Sequence, residues 1–277
     1  VTLDPVWAAE RIGVAIEPAE VAHLLRRMGH ATERAADGAL RVAVPAYRND
    51  IMHPIDLVED VAIAYGYHKI VPQLVPTMTV GSELPRERLF NVCRQALAGL
   101  GQLEVMTLIL SSEEQQYDAL NLPRRDDCVA IENPISQDQT VVRTSLLPGL
   151  LDTLSVNTDH ELPQAIFEVG KISLCDPQAE TGATERARVA AGAIGPRVDY
   201  AQIRSSCEAL LREFGWSIET QADQAALFIP GRGARVFARR GDERREVGLI
   251  GEVHPEVLER FKLVQPTALF ELDLDAL

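Results

Sequence analysis

Lysine is almost missing from this chain. Of its 27 basic residues only Lys69, Lys171 and Lys262 are lysine, and 41 acidic residues leave a formal charge of -14. Non-specific affinity for nucleic acid comes mainly from basic side chains displacing counterions, so a general polyanion binder is excluded and any RNA contact has to be local. Cysteine is sparse too. Cys93, Cys128, Cys175 and Cys207 lie tens of residues apart with no CxxC pair, which signals neither a zinc site nor a disulfide framework and fits a reducing cytoplasm. No apolar run approaches the roughly 18 residues that cross a bilayer. The opening VTLDPVWAAE has neither the basic start nor the apolar centre of an export signal, so no membrane association is expected.

What is present is enough apolar material for a core: 46% hydrophobic residues in 277, a length that suggests two domains. Asp4 followed by Pro5 reads as a cap and first helical residue, opening a short helix that ends by Gly13. From Pro18 a second helix keeps Val21, Leu24, Leu25 and Met28 on one face and stops at Gly29. Strands around Ala31 to Arg34 and Leu40 to Val44 are joined by Asp37-Gly38, and a third helix runs from about Pro54 to Tyr65. This order, over residues 1–72, is similar to helix-turn-helix or winged folds. A proline-containing linker is expected over 73–86. Residues 87–277 open with a helix and then mix helices (146–156, 200–214, 255–261) with candidate strands VAIENP, QAIFEVGKI, RVAAGAIG, AALFIP, ARVFARR, EVGLIGEV and ALFELDL. The fold class expected is therefore α+β, with a mainly antiparallel sheet in the second domain.

The stretch YRNDIMHPIDLVEDVAIAYGY, residues 47–67, holds Asp50, Asp56, Glu59 and Asp60 within eleven positions. At about 100° per residue, Asp56, Glu59 and Asp60 share a wedge of the third helix while Val58, Val61, Ala62 and Tyr65 lie opposite. Hard cations such as Mg²⁺ take oxygen ligands, so the spacing permits a metal; a solvated acidic face is the other reading, with Asp56 favoured by the helix dipole.

These residues also carry a resemblance. RNDIMHPIDLVEDVAIAYGYHKI resembles the end of the small domain of the phenylalanyl-tRNA synthetase β subunit, in the archaeal and eukaryotic-type version with Glu-Asp before Val. NPISQDQTVVRTSLLPGLL, QAIFEVGKI, FIPGRGARV and GLIGEVHPEVLERF agree with the same family in order and rough spacing, so the match covers essentially the whole chain. The resemblance implies a class II aminoacyl-tRNA synthetase-like sheet in the second domain. It implies that Asp50, Asp56, Glu59 and Asp60 match positions assigned to a magnesium ion shared with the α subunit. It also implies an α2β2 heterotetramer acting on tRNA(Phe), with ATP and Mg²⁺ used in the α-subunit site. The family's β chains begin with further domains, including one that hydrolyses mischarged tRNA. Nothing before residue 1 supplies them here, so a partial chain or a reduced relative is expected, and editing is not carried over.

Class II enzymes grip ATP phosphates with an arginine shortly after a strand and another in a glycine-rich strand-helix motif. Four residues past Gly170, where the first would stand, this chain has Leu174, and no GxGxGxER stretch occurs. No catalytic residue is therefore expected in this chain. Arg143 is the best remaining polar candidate, or else a buried or interface arginine paired with an acid such as Glu132, or the residue before a helix capped by Thr144 or Ser145. GRGAR (231–235) lacks the lysine and hydroxyl of a P-loop and reads as a turn entering a strand; His254 reads as structural. Arg239, Arg240, Arg244 and Arg245 flank a Gly241-Asp242 turn, either as a contact for RNA phosphates or as a solvated hairpin balanced by Asp242, Glu243 and Glu246. The function expected is the non-catalytic support of an α subunit. The rival readings are a stand-alone synthetase-like paralogue that binds RNA or protein, and an independent metal enzyme using His53.

Overall fold

A computed structural model describes all residues, 1–277, which divide into two compact units, Val1–Val80 and Gly81–Leu277. In the first, β1 (Thr2–Leu3) leads into α1 (Pro5–Ile12) and α2 (Pro18–Arg27). The hairpin β2 (Ala31–Arg34) and β3 (Leu40–Ala43) follows, and then α3 (Pro54–Tyr65). Asp4 caps α1 by accepting from the Val6 amide at 2.9 Å, and Pro5 sits at the first helical position, where its missing N–H costs nothing. The strand β1 was not expected; it pairs with β3 to make a three-stranded antiparallel sheet in the order β1-β3-β2. Leu57 and Val61 of α3 pack with Val21, Leu24 and Leu25 of α2 and with Leu40 and Val42 of β3. Each fully buried aliphatic side chain of this kind contributes about 1.5–3 kcal/mol relative to exposure.

Residues 70–84 contain no helix or strand. The second unit opens with α4 (Pro85–Gly99), followed by β4 (Leu103–Glu104), β5 (Leu110–Ser111), α5 (Glu113–Gln116), β6 (Val141–Val142) and α6 (Leu147–Val156). Then come β7 (Gln164–Cys175), β8 (Ala183–Ile194), α7 (Tyr200–Glu213), β9 (Ser217–Ala222), β10 (Phe228–Arg240), β11 (Glu243–Val253), α8 (Pro255–Arg260) and β12 (Thr267–Asp273). Seven strands form one sheet in the order β4-β7-β8-β12-β11-β10-β9, antiparallel throughout except for the short β4–β7 pair. One face carries Phe167, Val189, Phe270 and Leu272 in a core shared with α4 and α7. The opposite face carries Ile166, Ile172, Ala190 and Leu269 in a core shared with α6 and α8.

Two expectations fail here. VAIENP is no strand: it makes only an isolated bridge from Ala130 to Val141 and otherwise loops. GRGAR is no turn into a strand but lies inside β10, where the register slips between Phe228 and Gly233. Phe228 folds over the strand there: a Cβ on Gly233 would stand 2.6 Å from its ring.

Candidate functional site

In the first unit, Pro54 and Gly66 bracket α3, and the cap at its start consumes one of the four carboxylates. His53 Nδ1 accepts from the Ile55 amide, while Asp56 accepts from the amides of Met52 (2.8 Å) and His53 (2.7 Å). Asp56 is thus a capping group, with both amides on its Oδ2. Glu59 is exposed and has no partner.

Asp60 departs from the solvated-face reading altogether, since it is only 3% exposed. A buried carboxylate has to be paired, and two side chains from outside α3 do so. His30, just before β2, places Nε2 2.6 Å from Asp60 Oδ2; a carboxylate only accepts, so the ring proton sits on Nε2. Arg48 donates from Nη1 to Oδ2 at 3.0 Å and from Nη2 to Oδ1 at 3.1 Å, the fork-to-carboxylate geometry peculiar to arginine. The same guanidinium reaches Asp50 through Nε at 2.9 Å and Nη2 at 2.7 Å. Those bonds pull the Asp50 carboxyl down to about 2 and push the Arg48 guanidinium well above its ordinary range. The structure therefore brings Asp50 and Asp60 together around one guanidinium, and Asp56 and Glu59 stay apart from them.

In the second unit the polar centre is Arg143, the one arginine among the buried residues. Its partner is Glu168 of β7, at 2.6 Å, rather than Glu132. Nη1 also donates to Thr107 Oγ1 (3.0 Å) and Nε to the Lys171 carbonyl (2.9 Å), while Thr107 Oγ1 donates to the second Glu168 oxygen. Gly170 leaves room for this packing: a Cβ there would lie 2.5 Å from Arg143 Nη2. Across the sheet, Glu168 and Glu271 flank Ala190 in register. Glu271 accepts from the Leu146 amide (2.6 Å) and Ser145 Oγ, and burial pushes its carboxyl up. Residues 143–146 are thereby seated on two glutamates at the entrance to α6. Leu174 is part-buried against the same core and bridges to Cys128.

The arginine hairpin is also internally engaged. Arg239 and Arg244 both donate to Glu219 of β9, and Arg244 lies 3.5 Å over the Phe237 ring. Arg240 stacks 4.2 Å over Trp216 and pairs with Glu243. Arg245 donates to Glu243 and to the carbonyls of Ala276 and Leu277. The balancing acids are Glu219 and Glu243; Glu246 serves Arg235 instead, and Asp242 has no partner. His254 caps α8 by accepting from the Glu256 amide.

Comparison with known proteins gives this geometry a family. Residues 71–274 match the family model described as the phenylalanyl tRNA synthetase beta chain CLM domain, and residues 1–67 match the tRNA synthetase B5 domain. The chain belongs to the phenylalanyl-tRNA synthetase β-chain family. Among its relatives are proteins named phenylalanine–tRNA ligase beta subunit from Methanococcus maripaludis (37% identical over 96% of this chain and 48% of that one) and Thermococcus sibiricus (38%, covering 95% and 46%). A third, from Archaeoglobus fulgidus, is 37% identical over 96% of this chain and 47% of its own. The chain spans about half the length of these relatives. A pyrrolysyl tRNA synthetase from Desulfitobacterium hafniense shares the fold at 15% identity, with a TM-score of 0.54 over 69% of this chain and 66% of that one.

For a member of the β-chain family, the magnesium ligands implied by resemblance can be tested against the geometry. Mg²⁺ demands near-octahedral oxygen ligation at about 2.0–2.1 Å. No three His, Cys, Asp or Glu side chains converge in a way that could hold a metal. Asp50 and Asp60 share the Arg48 guanidinium, and Asp56 is committed to backbone amides. As arranged, Asp50, Asp56, Glu59 and Asp60 do not fit a magnesium ion.

Proposed function

We propose that this chain is the half of a phenylalanine–tRNA ligase β subunit that supports an α subunit, in whose site ATP, Mg²⁺, phenylalanine and the tRNA(Phe) end meet. The observation that carries this reading is the state of the synthetase-like sheet. Transferring an adenylyl group needs free cationic donors aimed at phosphate oxygens. Leucine stands at position 174, and every donor direction of Arg143 that is used goes to Glu168, Thr107 or the Lys171 carbonyl. The Nε and Nη1 donors of Arg143 are thus spent on the protein's own acceptors.

Support for a docked partner comes from the segment after α4. Leu103, Met106 and Leu108 are 71%, 95% and 72% exposed, and Ile109 is exposed beside them. Contiguous exposed apolar side chains of this size mark interaction surfaces. The α subunit covers this segment, in an α2β2 assembly working in the cytoplasm. RNA contact by Arg239, Arg240, Arg244 and Arg245 is a minor part of the reading, since each would have to exchange an internal partner for a phosphate.

Co-expression with the α subunit of the same organism tests the proposal. The two are expected to co-purify, and Met106→Asp combined with Leu108→Asp is expected to weaken association at least tenfold without unfolding the chain. If no α subunit binds the chain, the reading falls and a stand-alone paralogue takes its place.

A further inference from the structure

The carboxylate cluster of the first unit has a positive partner of its own. We infer that Arg48 is the resident cation of the site formed by Asp50 and Asp60, and that this site excludes Mg²⁺ while Arg48 is in place. The inference concerns the chain itself and does not depend on the α-subunit reading.

Three observations lead to it. Arg48 makes bidentate contacts to each carboxylate, so the guanidinium plane occupies the space in which an ion bridging Asp50 and Asp60 would sit. Asp60 is buried with His30 on its Oδ2 oxygen, so its lone pairs are shared between an imidazole N–H and two guanidinium N–H groups. The two other acids do not join the cluster: Asp56 is turned to the α3 cap, where its Oδ2 accepts two amides, and Glu59 is exposed and makes no contact with Arg48, Asp50 or Asp60. A metal entering the site would have to expel Arg48 from a cluster that a guanidinium satisfies and that the flanking histidine completes. Guanidinium is also weakly hydrated compared with Mg²⁺, which gives up its waters reluctantly, so exchange is disfavoured on both sides.

The arrangement has a structural purpose as well. Arg48 lies in the loop between β3 and α3, and His30 lies between α2 and β2. Their joint grip on Asp60 ties two connections to the centre of α3, in a unit of 80 residues whose apolar core is small.

The test uses the full chain and Mg²⁺ as the probe. Calorimetric titration with MgCl₂ is expected to show no binding of the unaltered chain with a Kd under 1 mM. Its unfolding midpoint is expected to be the same in EDTA as in Mg²⁺ at matched ionic strength. Arg48→Met leaves two carboxylates facing each other, one of them buried, and is expected to lower the midpoint by roughly 10 °C or more. Arg48→Lys keeps a charge without the fork; it is expected to fall between the two and remains informative should Arg48→Met not fold. Sub-millimolar magnesium binding by the unaltered chain, or an Arg48→Met chain as stable as the parent, overturns the inference. Neither result bears on whether an α subunit docks.

Discussion

Arg143 and Asp60 show what a single charged residue can reveal in a sequence. Arg143 interrupts an apolar stretch and so draws attention without a structure. Its partner did not, because Glu168 lies 25 positions away and meets it only when β7 is laid beside β6 and the start of α6. Asp60 misleads in the opposite direction. The helical wheel groups it correctly with Asp56 and Glu59, but its burial is imposed by His30 and Arg48, neither of which belongs to the helix. Periodicity reports where a side chain points along its own element, and says nothing of what folds over it. The buried pair also gives a prediction. Removing one partner strands the other charge, so Glu168→Gln or Arg143→Met alone is expected to cost about 3–5 kcal/mol. Replacing both together by apolar residues of similar volume is expected to cost less than the sum. Urea denaturation of the three variants measures this, and strict additivity would show that the two residues do not act as a pair.

Helices were the most legible elements, for local reasons. Pro54 and Gly66 bound α3 as the sequence suggests, and Asp199 caps α7 by accepting from the Gln202 amide. Strands were less so. VAIENP has the composition of a strand but lacks a neighbour to pair with along its length. SIETQA, which became β9, is polar enough to pass for a loop, and it is an edge strand whose polarity suits its free side. That omission hid Glu219, and with it the reason the arginine hairpin is already neutralised. At this scale Gly248 is the most sensitive position in the sheet. It sits at the second register shift of β10–β11, and a Cβ there would stand 2.0 Å from the Glu271 carbonyl oxygen in β12. Backbone cannot give way as a side chain does, so Gly248→Ala is expected to destabilise the second unit by at least about 3 kcal/mol. Guanidinium denaturation monitored at Trp216 reads that transition, and an unchanged midpoint would contradict the register described.

Taken whole, the molecule pairs a small unit stabilised partly by a charged network with a larger one that has a class II tRNA synthetase-like sheet. What was legible at this scale came from resemblance rather than composition. Nothing in the charge, length or hydropathy of the chain distinguishes a scaffold from an enzyme, whereas Leu174, where the resemblance implies an arginine, bears on phosphate binding. Whether the four acids implied as magnesium ligands come together is hidden from the sequence for a related reason. Four acids in a motif identify the family, but whether they converge depends on Arg48, which the motif also contains and which meets two of them first.

The central claim, that the synthetase-like unit holds a partner and performs no adenylation, is tested most directly by ATP–pyrophosphate exchange. The purified chain, supplied with phenylalanine, ATP and Mg²⁺, is predicted to give no exchange above the rate without phenylalanine. Phenylalanine-dependent exchange by the chain alone would contradict the account.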